Sequence, residues 1–336
     1  MRPELALRRI AFLLEAQGAE TYRVRAFRRA AASVEPVGTV QLEHLAAQGR
    51  LDSLKDVGPR TAEVIAQALS GEIPGYLTAL EETAPSVAPG PAASLLGSLR
   101  GDCHSHSDWS DGGSPIEEMA AAAEAIGHEY LALTDHSPRL TVANGLSPER
   151  LRRQLDVVAK LNSAQSSFRL LTGIEVDILD DGSLDQEEDL LAELDVVVAS
   201  VHSALRMDQA QMTRRMTTAV ANPHADILGH CTGRRILGRG RPQSVFDAEA
   251  VFSACAANRT AVEVNSRPDR LDPPAELLEV AARAGCQFAI DSDAHAPGQL
   301  CWLSNGCEQA VAAGLAPGSI VNAKPLEEFL TWLGRE

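Results

Sequence analysis

The sequence lacks several motifs that would indicate other classes of protein. It has six cysteines but no Cys-x-x-Cys pair, so a zinc ribbon or a thioredoxin-like redox site is not expected. Neither a Gly-x-Gly-x-x-Gly loop nor a Walker-type glycine loop is present, so no nucleotide cofactor is indicated. A Gly-x-Ser-x-Gly elbow is also missing, which argues against an α/β serine hydrolase.

Long hydrophobic runs are also missing. No uninterrupted apolar stretch approaches the roughly 18–20 residues that a membrane-spanning helix needs. The segment Met1–Gln17 is amphipathic, with Arg8, Arg9 and Glu15, and does not resemble a signal peptide. Hydrophobic residues make up 45% and charged residues 23% of the chain, as in soluble globular proteins. We therefore expect a cytoplasmic protein that makes no membrane contact and whose cysteines are free, mostly buried thiols.

Positive charge is scarce and unevenly distributed. The net charge is −16, yet residues 1–60 carry ten Lys or Arg against seven Asp or Glu. The acidic remainder discourages non-specific binding of nucleic acid. Contact with a polyanion is therefore expected through the N-terminal segment or through bound metals. A solvated surface is the alternative explanation for the asymmetry.

The chain divides into two parts joined by a predicted linker. Residues 1–84 have the pattern of a small all-α domain, residues 85–98 are predicted to be a linker, and residues 99–336 alternate between strand and helix patterns. Three prolines and a glycine between Pro85 and Pro91 indicate the linker. The predicted N-terminal helices are Glu4–Ala16, Ala19–Val34, Gln41–Ala47, Arg60–Ser70 and Tyr76–Glu82.

Seven short apolar segments in the second part are predicted to be strands, with helices between them. They are rich in Val, Ile and Leu, as strands buried on both faces should be. Such alternation predicts a parallel sheet, and seven units predict a closed or nearly closed barrel of the α/β class. The last predicted helix is Pro274–Ala284. The predicted strands are Leu99–Cys103, Tyr130–Thr134, Arg169–Glu175, Asp195–Val201, Ala225–Gly229, Thr260–Val264 and Gln287–Ile290.

Nine histidines and carboxylates lie at or just after the C-terminal ends of these strands. That end is where (β/α) barrels place functional groups. Imidazole and carboxylate donors suit zinc, manganese or iron, and nine donors exceed what one ion can take. We expect two or three divalent ions, with Glu175 as the candidate bridging ligand and a metal-bound hydroxide as nucleophile. The candidate ligands are His104, His106, Asp111, His136, Glu175, His202, His230, Asp293 and His295.

The motifs that contain these residues resemble those of a known family. His104-Ser-His106, Asp135-His136, Gly173-Ile-Glu175, Val201-His202, Gly229-His230 and Asp293-Ala-His295 are similar, in order, to the motifs of the PHP (polymerase and histidinol phosphatase) phosphoesterases. The likeness covers about residues 99–335. It implies a trinuclear metal centre in a distorted seven-stranded barrel, with all nine ligand positions filled by matching residue types, and hence a metal-dependent phosphoesterase.

Arginines near the predicted centre are candidates for binding substrate. Arg234 and Arg267 could bind phosphate oxygens with two parallel hydrogen bonds each, and Arg270 is a weaker candidate. A surface salt bridge is the alternative for each of them.

The segment Leu54–Ala62 has the shape of a helix–hairpin–helix. Its turn, formed by Val57, Gly58, Pro59 and Arg60, could present backbone N–H groups to a DNA phosphate. A purely structural turn is the alternative. With Arg25 and Arg28, which precede it in the chain, the segment resembles the N-terminal DNA-binding domain of family-X DNA polymerases. The nucleotidyltransferase domain is missing between the hairpin and the barrel, so polymerase activity is not expected.

Three functions are consistent with these patterns. The first is a phosphoesterase acting on DNA, as a 3′–5′ exonuclease, a 3′-phosphatase or an abasic-site nuclease. The second is a small-molecule phosphomonoesterase of the histidinol-phosphatase type. The third is a non-catalytic DNA-binding protein whose metals stabilise the barrel. The sequence does not indicate a protein partner.

Overall fold

The computed structural model describes residues 1–84, 87–164 and 167–334. The chain forms two compact units, Met1–Ser86 and Val87–Glu336. Pro85 and Ser86, at the start of the predicted linker, lie outside the described residues. Within those residues, no helix combines the length and the apolar character that a membrane crossing requires.

The N-terminal unit is a bundle of short helices around its own apolar core. In α1 (Pro3–Ala16), Leu7, Ile10 and Leu14 are at most 1% exposed, because their helical spacing places them on one face. This face packs against α2 and α4. The helices begin and end within about two residues of the predicted bounds. The others are α2 (Thr21–Val34), α3 (Thr39–Ala47), α4 (Pro59–Leu69) and α5 (Gly75–Glu82).

The second half of the predicted linker is a helix, so the prediction for residues 91–98 was wrong. Helix α6 (Pro91–Ser98) begins with a proline at its first position, where proline is favoured. Leu95 and Leu99 are each 5% exposed and belong to the main core of the second unit. The prolines of this segment had suggested a linker, whereas its leucines provide an apolar face that the second unit covers.

Seven parallel strands form the sheet of the second unit, counted over the described residues, in the order in which they occur along the chain. The predicted α/β barrel is thereby confirmed, and the strands differ from their predicted bounds by at most a few residues. The strands are β1 (Gly101–Ser105), β2 (Tyr130–Leu133), β3 (Arg169–Asp177), β4 (Val196–Ser200), β5 (Ile227–Leu228), β6 (Ala261–Asn265) and β7 (Phe288–Asp291). The helices are α7 (Ile116–Ala125), α8 (Pro148–Ala164), α9 (Glu188–Leu191), α10 (Gln209–Val220), α11 (Ala248–Asn258), α12 (Ala275–Arg283), α13 (Leu303–Ala312) and α14 (Leu326–Leu333).

Strand β3 places Glu175 centrally in the sheet. Its first half pairs with β2 and its second half with β4, where Glu175 lies opposite Val198. After β2 ends, His136 makes an isolated parallel bridge to Glu175. Backbone pairing alone therefore brings two candidate ligands side by side.

Side chains join β1 to β7, where regular pairing is nearly absent. One bridge, Ser105 to Ala294, links the two ends of the sheet. Below it, Asp291 Oδ1 accepts a hydrogen bond from the Cys103 amide at 2.8 Å. Asp102 accepts one from the Ser292 amide at 3.2 Å. Carboxylates thus replace part of the missing ladder and nearly close the barrel.

Asn322 spans the same gap with its amide group. Its Nδ2 donates to the carbonyls of Gly101 in β1, at 3.0 Å, and Ile290 in β7, at 2.7 Å. Its Oδ1 accepts from the Ile290 amide at 3.1 Å. One fully buried side chain therefore satisfies backbone groups of both strands.

Helix α14 covers the N-terminal end of the barrel. Phe329 stacks on Tyr130, at the start of β2, with ring centroids 4.9 Å apart. Phe329 and Leu333 belong to the core cluster that fills the barrel interior. The N-terminal end is thus closed by apolar packing, and polar groups concentrate at the opposite end. No helix after Ala284 had been predicted.

Replacing Asn322 by alanine should destabilise the barrel. The substitution leaves buried backbone groups of Gly101 and Ile290 without their partner, at a cost of about 2–4 kcal/mol. Urea unfolding followed by circular dichroism measures the change. Asn258→Ala, at the exposed end of α11, is the matched control and should change stability by no more than about 0.5 kcal/mol. Equal losses in the two variants would contradict the role of Asn322.

His128 should make the stability of the barrel depend on pH. Burial lowers the pKa of His128, between α7 and β2, from 6.5 to about 4. The unfolded chain therefore takes up this proton first as the pH falls. Stability is present in full above about pH 6.5 and is lost toward pH 4, by up to about 3 kcal/mol. Unfolding free energies of the wild type and of His128→Gln, measured from pH 4 to 7, give the contribution by difference. A difference independent of pH would show that His128 does not contribute in this way.

Candidate metal centre

Glu175 lies at the middle of the site and is almost fully buried, at 1% exposure. Its Oε1 is 2.9 Å from His230 Nε2 and 3.2 Å from His202 Nε2. Its Oε2 is 2.8 Å from His136 Nδ1, 3.4 Å from His104 Nε2 and 3.6 Å from His106 Nε2. Five imidazoles from four different strand ends therefore surround one carboxylate.

Two further carboxylates lie at the edges of this group. Asp111 Oδ1 is 3.4 Å from His136 Nε2 and 3.3 Å from His295 Nε2. Asp293 Oδ1 is 3.4 Å from His106 Nε2 and 3.9 Å from His104 Nε2. All nine residues predicted as ligands are thus brought together at one end of the barrel.

The donors form three overlapping groups, and within each group the ligand atoms lie within 4.8 Å of one another. Each pair of groups shares one residue: His106, His136 or Glu175. His230 and Asp293 belong to none of the groups but contact Glu175 and His106, respectively. The groups are His106, Asp111, His136 and His295; His104, His106 and Glu175; and His136, Glu175 and His202.

The hydrogen bonds of two histidines leave their Nε2 atoms directed to the centre. His104 Nδ1 donates to Glu263 Oε1 at 2.6 Å, and His202 Nδ1 donates to Asp177. Their buried Nε2 atoms have no hydrogen-bond partner within residues 1–84, 87–164 and 167–334. A histidine that binds a metal typically has this arrangement, with a carboxylate on its other nitrogen. The side chains present therefore fit divalent metal ions.

The charges in the centre are strongly coupled. Burial opposes ionisation of Glu175, but His202, His104 and His136 hold its pKa well below the ordinary range. Burial also disfavours the charged form of Asp293, yet Arg267 and His104 hold its pKa well below normal. Both carboxylates are thus kept ionised, as metal ligands must be.

The carboxylates around His104 and His202 favour positive charge at these two histidines. Burial lowers the pKa of His104, but Glu263, Glu175 and Asp293 together raise it well above its ordinary value. For His202, burial is likewise outweighed by Glu175 and Asp177, which raise its pKa to about 9. The same carboxylates favour any cation bound at these positions.

The three candidate arginines have different surroundings. Arg267 lies beside the centre, with Nη1 3.1 Å from His295 Nδ1 and 3.5 Å from Asp293 Oδ1. Arg270 Nε is 3.3 Å from Asp293 Oδ2. Arg234 instead donates to the backbone carbonyls of Arg270 and Leu271. Two nitrogens of the Arg234 guanidinium thus hold this loop, and its phosphate contact stays a prediction.

Glu263 is a residue of the site that had not been predicted. It is fully buried in β6, the strand to which no ligand had been assigned. Besides contacting His104, it accepts hydrogen bonds from the His230 amide and from Asn265 Nδ2. A charged residue within a buried apolar strand was the available indication, since such a residue requires nearby polar partners.

The hairpin of the N-terminal unit leads into α4 as predicted, but its Gly58 amide is occupied. It donates to Thr61 Oγ1 at 2.9 Å. The Val57 side chain is 7% exposed and belongs to the core of the unit, and Pro59 has no N–H to offer. Arg60 is exposed at the first turn of α4 and lies over the Tyr76 ring, 5.3 Å from its centroid. Of the predicted hairpin residues, Arg60 is thus the one placed to reach a phosphate with its side chain.

The two arginines predicted to accompany the hairpin differ. Arg25 is exposed and lines a groove of about 650 Å³ together with Arg29, Tyr22 and Asp56. Because Asp56 belongs to the hairpin, this groove adjoins it. Arg28 instead binds buried Glu15 through two hydrogen bonds, of 2.6 and 2.8 Å. A buried carboxylate requires such a cation, so Arg28 has a structural part in the core of this unit, and its DNA contact stays a prediction.

Comparisons with known proteins agree with these features. A model of the PHP domain matches residues 102–267, and a model of a helix-hairpin-helix domain matches residues 4–72. Over 243 residues the chain is 30% identical to a protein named probable phosphatase from Syntrophotalea carbinolica, covering 69% of this chain and 95% of that protein. The chain belongs to the PHP family.

Other similar proteins differ in how much of them is matched. The chain is 40% identical over 240 residues to the DNA polymerase/3′-5′ exonuclease PolX of Bacillus subtilis, covering 71% of this chain. It spans only 42% of the length of that relative. A solved structure of histidinol phosphate phosphatase from Lactococcus lactis, with zinc, L-histidinol and phosphate, matches at 18% identity and a TM-score of 0.43. The match covers 65% of this chain and 95% of that one.

Glu263→Gln should weaken metal binding by the PHP domain. An amide cannot accept hydrogen bonds at both of its terminal atoms, so either His104 or the His230 amide loses its acceptor. Loss of such an outer partner typically lowers metal affinity by about 10- to 100-fold. Metal content after equilibration with graded concentrations of a chelator measures the change.

Asp226→Asn is the matched control for this prediction. Asp226 is a buried acid that accepts from the Val197 amide at 2.9 Å, at the opposite end of the barrel. The control should lose stability without losing metal affinity. The same metal retention in both variants would show that Glu263 does not position the ligands.

Proposed function

We propose that this PHP phosphoesterase hydrolyses phosphate esters of DNA at a centre of two or three divalent ions held by the nine candidate ligands. The observation that carries this proposal is the ring of five imidazole nitrogens within 3.6 Å of the two Glu175 oxygens. Zinc, manganese and iron all suit this donor set. When bound, such ions stabilise charge on a phosphoryl group and lower the pKa of water.

The protein's own residues have distinct parts in this proposal. Glu175, the one ligand that contacts imidazoles on both of its oxygens, would hold the ions close together. Glu263 and Asp177 would fix the orientation of His104 and His202 through their Nδ1 atoms. Arg267, which contacts His295 and Asp293, would bind a phosphate oxygen at the edge of the centre. The candidate ligands and the fixed positive charge beside them both support the proposal.

Two findings support DNA as the substrate. The N-terminal unit matches a helix-hairpin-helix domain and exposes Arg25, Arg29 and Arg60 near its hairpin. The Bacillus subtilis relative is named as a DNA polymerase and 3′-5′ exonuclease. We therefore favour a reaction at a DNA 3′ end or an abasic site, with the N-terminal unit as the non-specific DNA-binding part.

A small-molecule phosphomonoester is the second candidate substrate. A pocket of about 500 Å³ beside His202 is lined by Asp177, Asp180, Asp181 and Arg139. Its acidic residues disfavour a polyanion on that side and suit a substrate that carries a positive group. The relative named probable phosphatase is matched over 95% of its length, which also favours this candidate.

Substitutions in the N-terminal unit should separate the two candidates. Arg25→Glu combined with Arg60→Glu is expected to reduce turnover of a DNA oligonucleotide about tenfold or more, because phosphate contacts dominate such affinity. Turnover of p-nitrophenyl phosphate should not change. Arg2→Glu combined with Arg50→Glu, which changes the charge equally, is the matched control and should retain both activities.

His106→Ala tests the centre itself. Loss of a buried residue shared by two donor groups should reduce turnover of both substrates by on the order of a hundredfold or more. Full activity in this variant would refute the proposed centre. Normal DNA turnover in the Arg25/Arg60 variant, or no DNA turnover in the wild type, would favour the small-molecule substrate.

A further inference from the structure

A short hairpin between β5 and α11 concentrates positive charge beside the centre. Arg235 and Arg241 pair as an antiparallel bridge, with N–O distances of 2.9 and 2.8 Å between their backbones. We call residues Arg234–Arg241 the arginine hairpin. Four of its eight residues are arginines and none is acidic, in a chain whose net charge is −16.

Asp269 connects the arginine hairpin to the centre. Its Oδ2 is 3.2 Å from Arg235 Nη1, and its Oδ1 is 3.3 Å from Arg267 Nε. Its carbonyl also accepts a hydrogen bond from the Ile236 amide at 2.7 Å. Because Arg267 in turn contacts His295 and Asp293, two residues, Arg267 and Asp269, connect the candidate ligands to the hairpin.

Arg270 lies between the centre and the hairpin with donors that are not used. It is 6% exposed, and its Nε and Nη1 make no hydrogen bond to the described part of the chain, although Nε lies 3.3 Å from Asp293 Oδ2. Burial and the charge of Arg270 lower the pKa of Arg235, and burial, Arg270 and Arg235 lower that of Arg241. These cations repel one another, and a bound anion would relieve the repulsion.

The tip of the arginine hairpin exposes apolar as well as basic side chains. Ile236 and Leu237 are 48% and 56% exposed, and Arg239 is also exposed. Single-stranded nucleic acid presents both phosphates and flat base faces, and its binding sites combine a basic groove with side chains, commonly aromatic, that pack on the bases. Ile236 and Leu237 would provide aliphatic surface for such packing. An inorganic anion would have no apolar group to contact Ile236 and Leu237, and a small phosphomonoester bound at the centre would not extend to them.

We propose that the arginine hairpin binds the strand of a single-stranded nucleic acid whose terminal ester occupies the metal centre. Arg270 and Arg235 would contact the phosphate next to the one that is hydrolysed. Arg239 would contact those further along the strand, together with Arg241, whose Nε donates to the Gly233 carbonyl at 2.6 Å and whose other nitrogens would face the strand. The inference rests on the proposed function, since it adds a strand-binding site to the same centre.

Dependence of turnover on substrate length tests the inference. The full chain, loaded with manganese, is given oligothymidylates of two and six nucleotides. In the wild type, kcat/KM should be at least about tenfold higher for the longer substrate, because only that substrate reaches the hairpin. The triple variant Arg235→Gln, Arg239→Gln, Arg241→Gln should lose most of this gain. Its binding of a fluorescein-labelled hexamer, measured by anisotropy, should have a salt slope smaller by about 2.

Two further variants control for charge and folding. Arg153→Gln, Arg214→Gln, Arg283→Gln removes three exposed arginines from the outer helices and should retain the gain with length. Arg239→Gln alone changes an exposed residue at the hairpin tip and should reduce the gain about threefold without altering the fold. An equal gain with length in the hairpin triple variant and in the outer-helix variant would overturn the inference.

The outcomes distinguish this inference from the proposed function. If p-nitrophenyl phosphate is hydrolysed but neither oligonucleotide is, the proposed DNA reaction fails. The binding data alone then show whether the hairpin binds single-stranded nucleic acid. Weaker hexamer binding in the triple variant, but not in the outer-helix variant, would still support it. If polyglutamate competes with the hexamer as well as an unlabelled hexamer does, the hairpin binds acidic proteins and the inference is wrong.

Discussion

The burial of a carboxylate among imidazoles is the constraint on which the rest of this structure depends. Glu175 is 1% exposed and has five histidine nitrogens around its oxygens. Removing such a group from water is costly unless cations or hydrogen bonds compensate. Glu263 and Asp177 bind the outer nitrogens of His104 and His202, so that their inner nitrogens remain available. The two layers act together, because the outer carboxylates hold the rings in the orientation that suits metal binding.

The barrel meets this constraint by placing apolar packing at one end and the polar groups at the other. Helix α14 covers the N-terminal end with Phe329 and Leu333, where stability comes from apolar packing. The polar groups at the other end are held by strand pairing and by the junction of β1 and β7. At that junction, Asn322 and Asp291 replace backbone pairing. His104 and His106 lie on one side of the junction and Asp293 on the other, so its hydrogen bonds also set the geometry of the centre.

Much of the barrel and its centre could be predicted from the sequence, because both depend on local order along the chain. Alternating strand and helix patterns indicated the parallel barrel, and parallel strands bring their C-terminal ends together. Contacts between distant residues could not be predicted in this way. The pairing of Arg28 with Glu15 and the binding of the Arg234 guanidinium to the backbone after Arg270 are such contacts. An arginine that binds phosphate and one that binds a distant carboxylate or carbonyl look the same in the sequence. Helix α6 was missed because the prolines near it also occur in linkers.

The negative charge of the chain and an anionic substrate are compatible because the relevant fields are local. Exposed charges are largely screened beyond about 8 Å at physiological salt, so the net charge of −16 does not set the potential at the centre. Burial lowers the pKa of Arg235, and Arg270 and Arg267 are close enough to it for their charges to lower this pKa further. The acidic pocket includes His202, which lies near Glu175 Oε1. Asp293, which Arg267 and Arg270 contact, instead lies near His106, and His106 is near Glu175 Oε2. A substrate with several phosphates would therefore extend from the centre toward the arginines, whereas a single ester with a cationic group would extend toward Asp177. The direction in which a bound substrate extends from the centre would thus differ between the two classes of phosphoester.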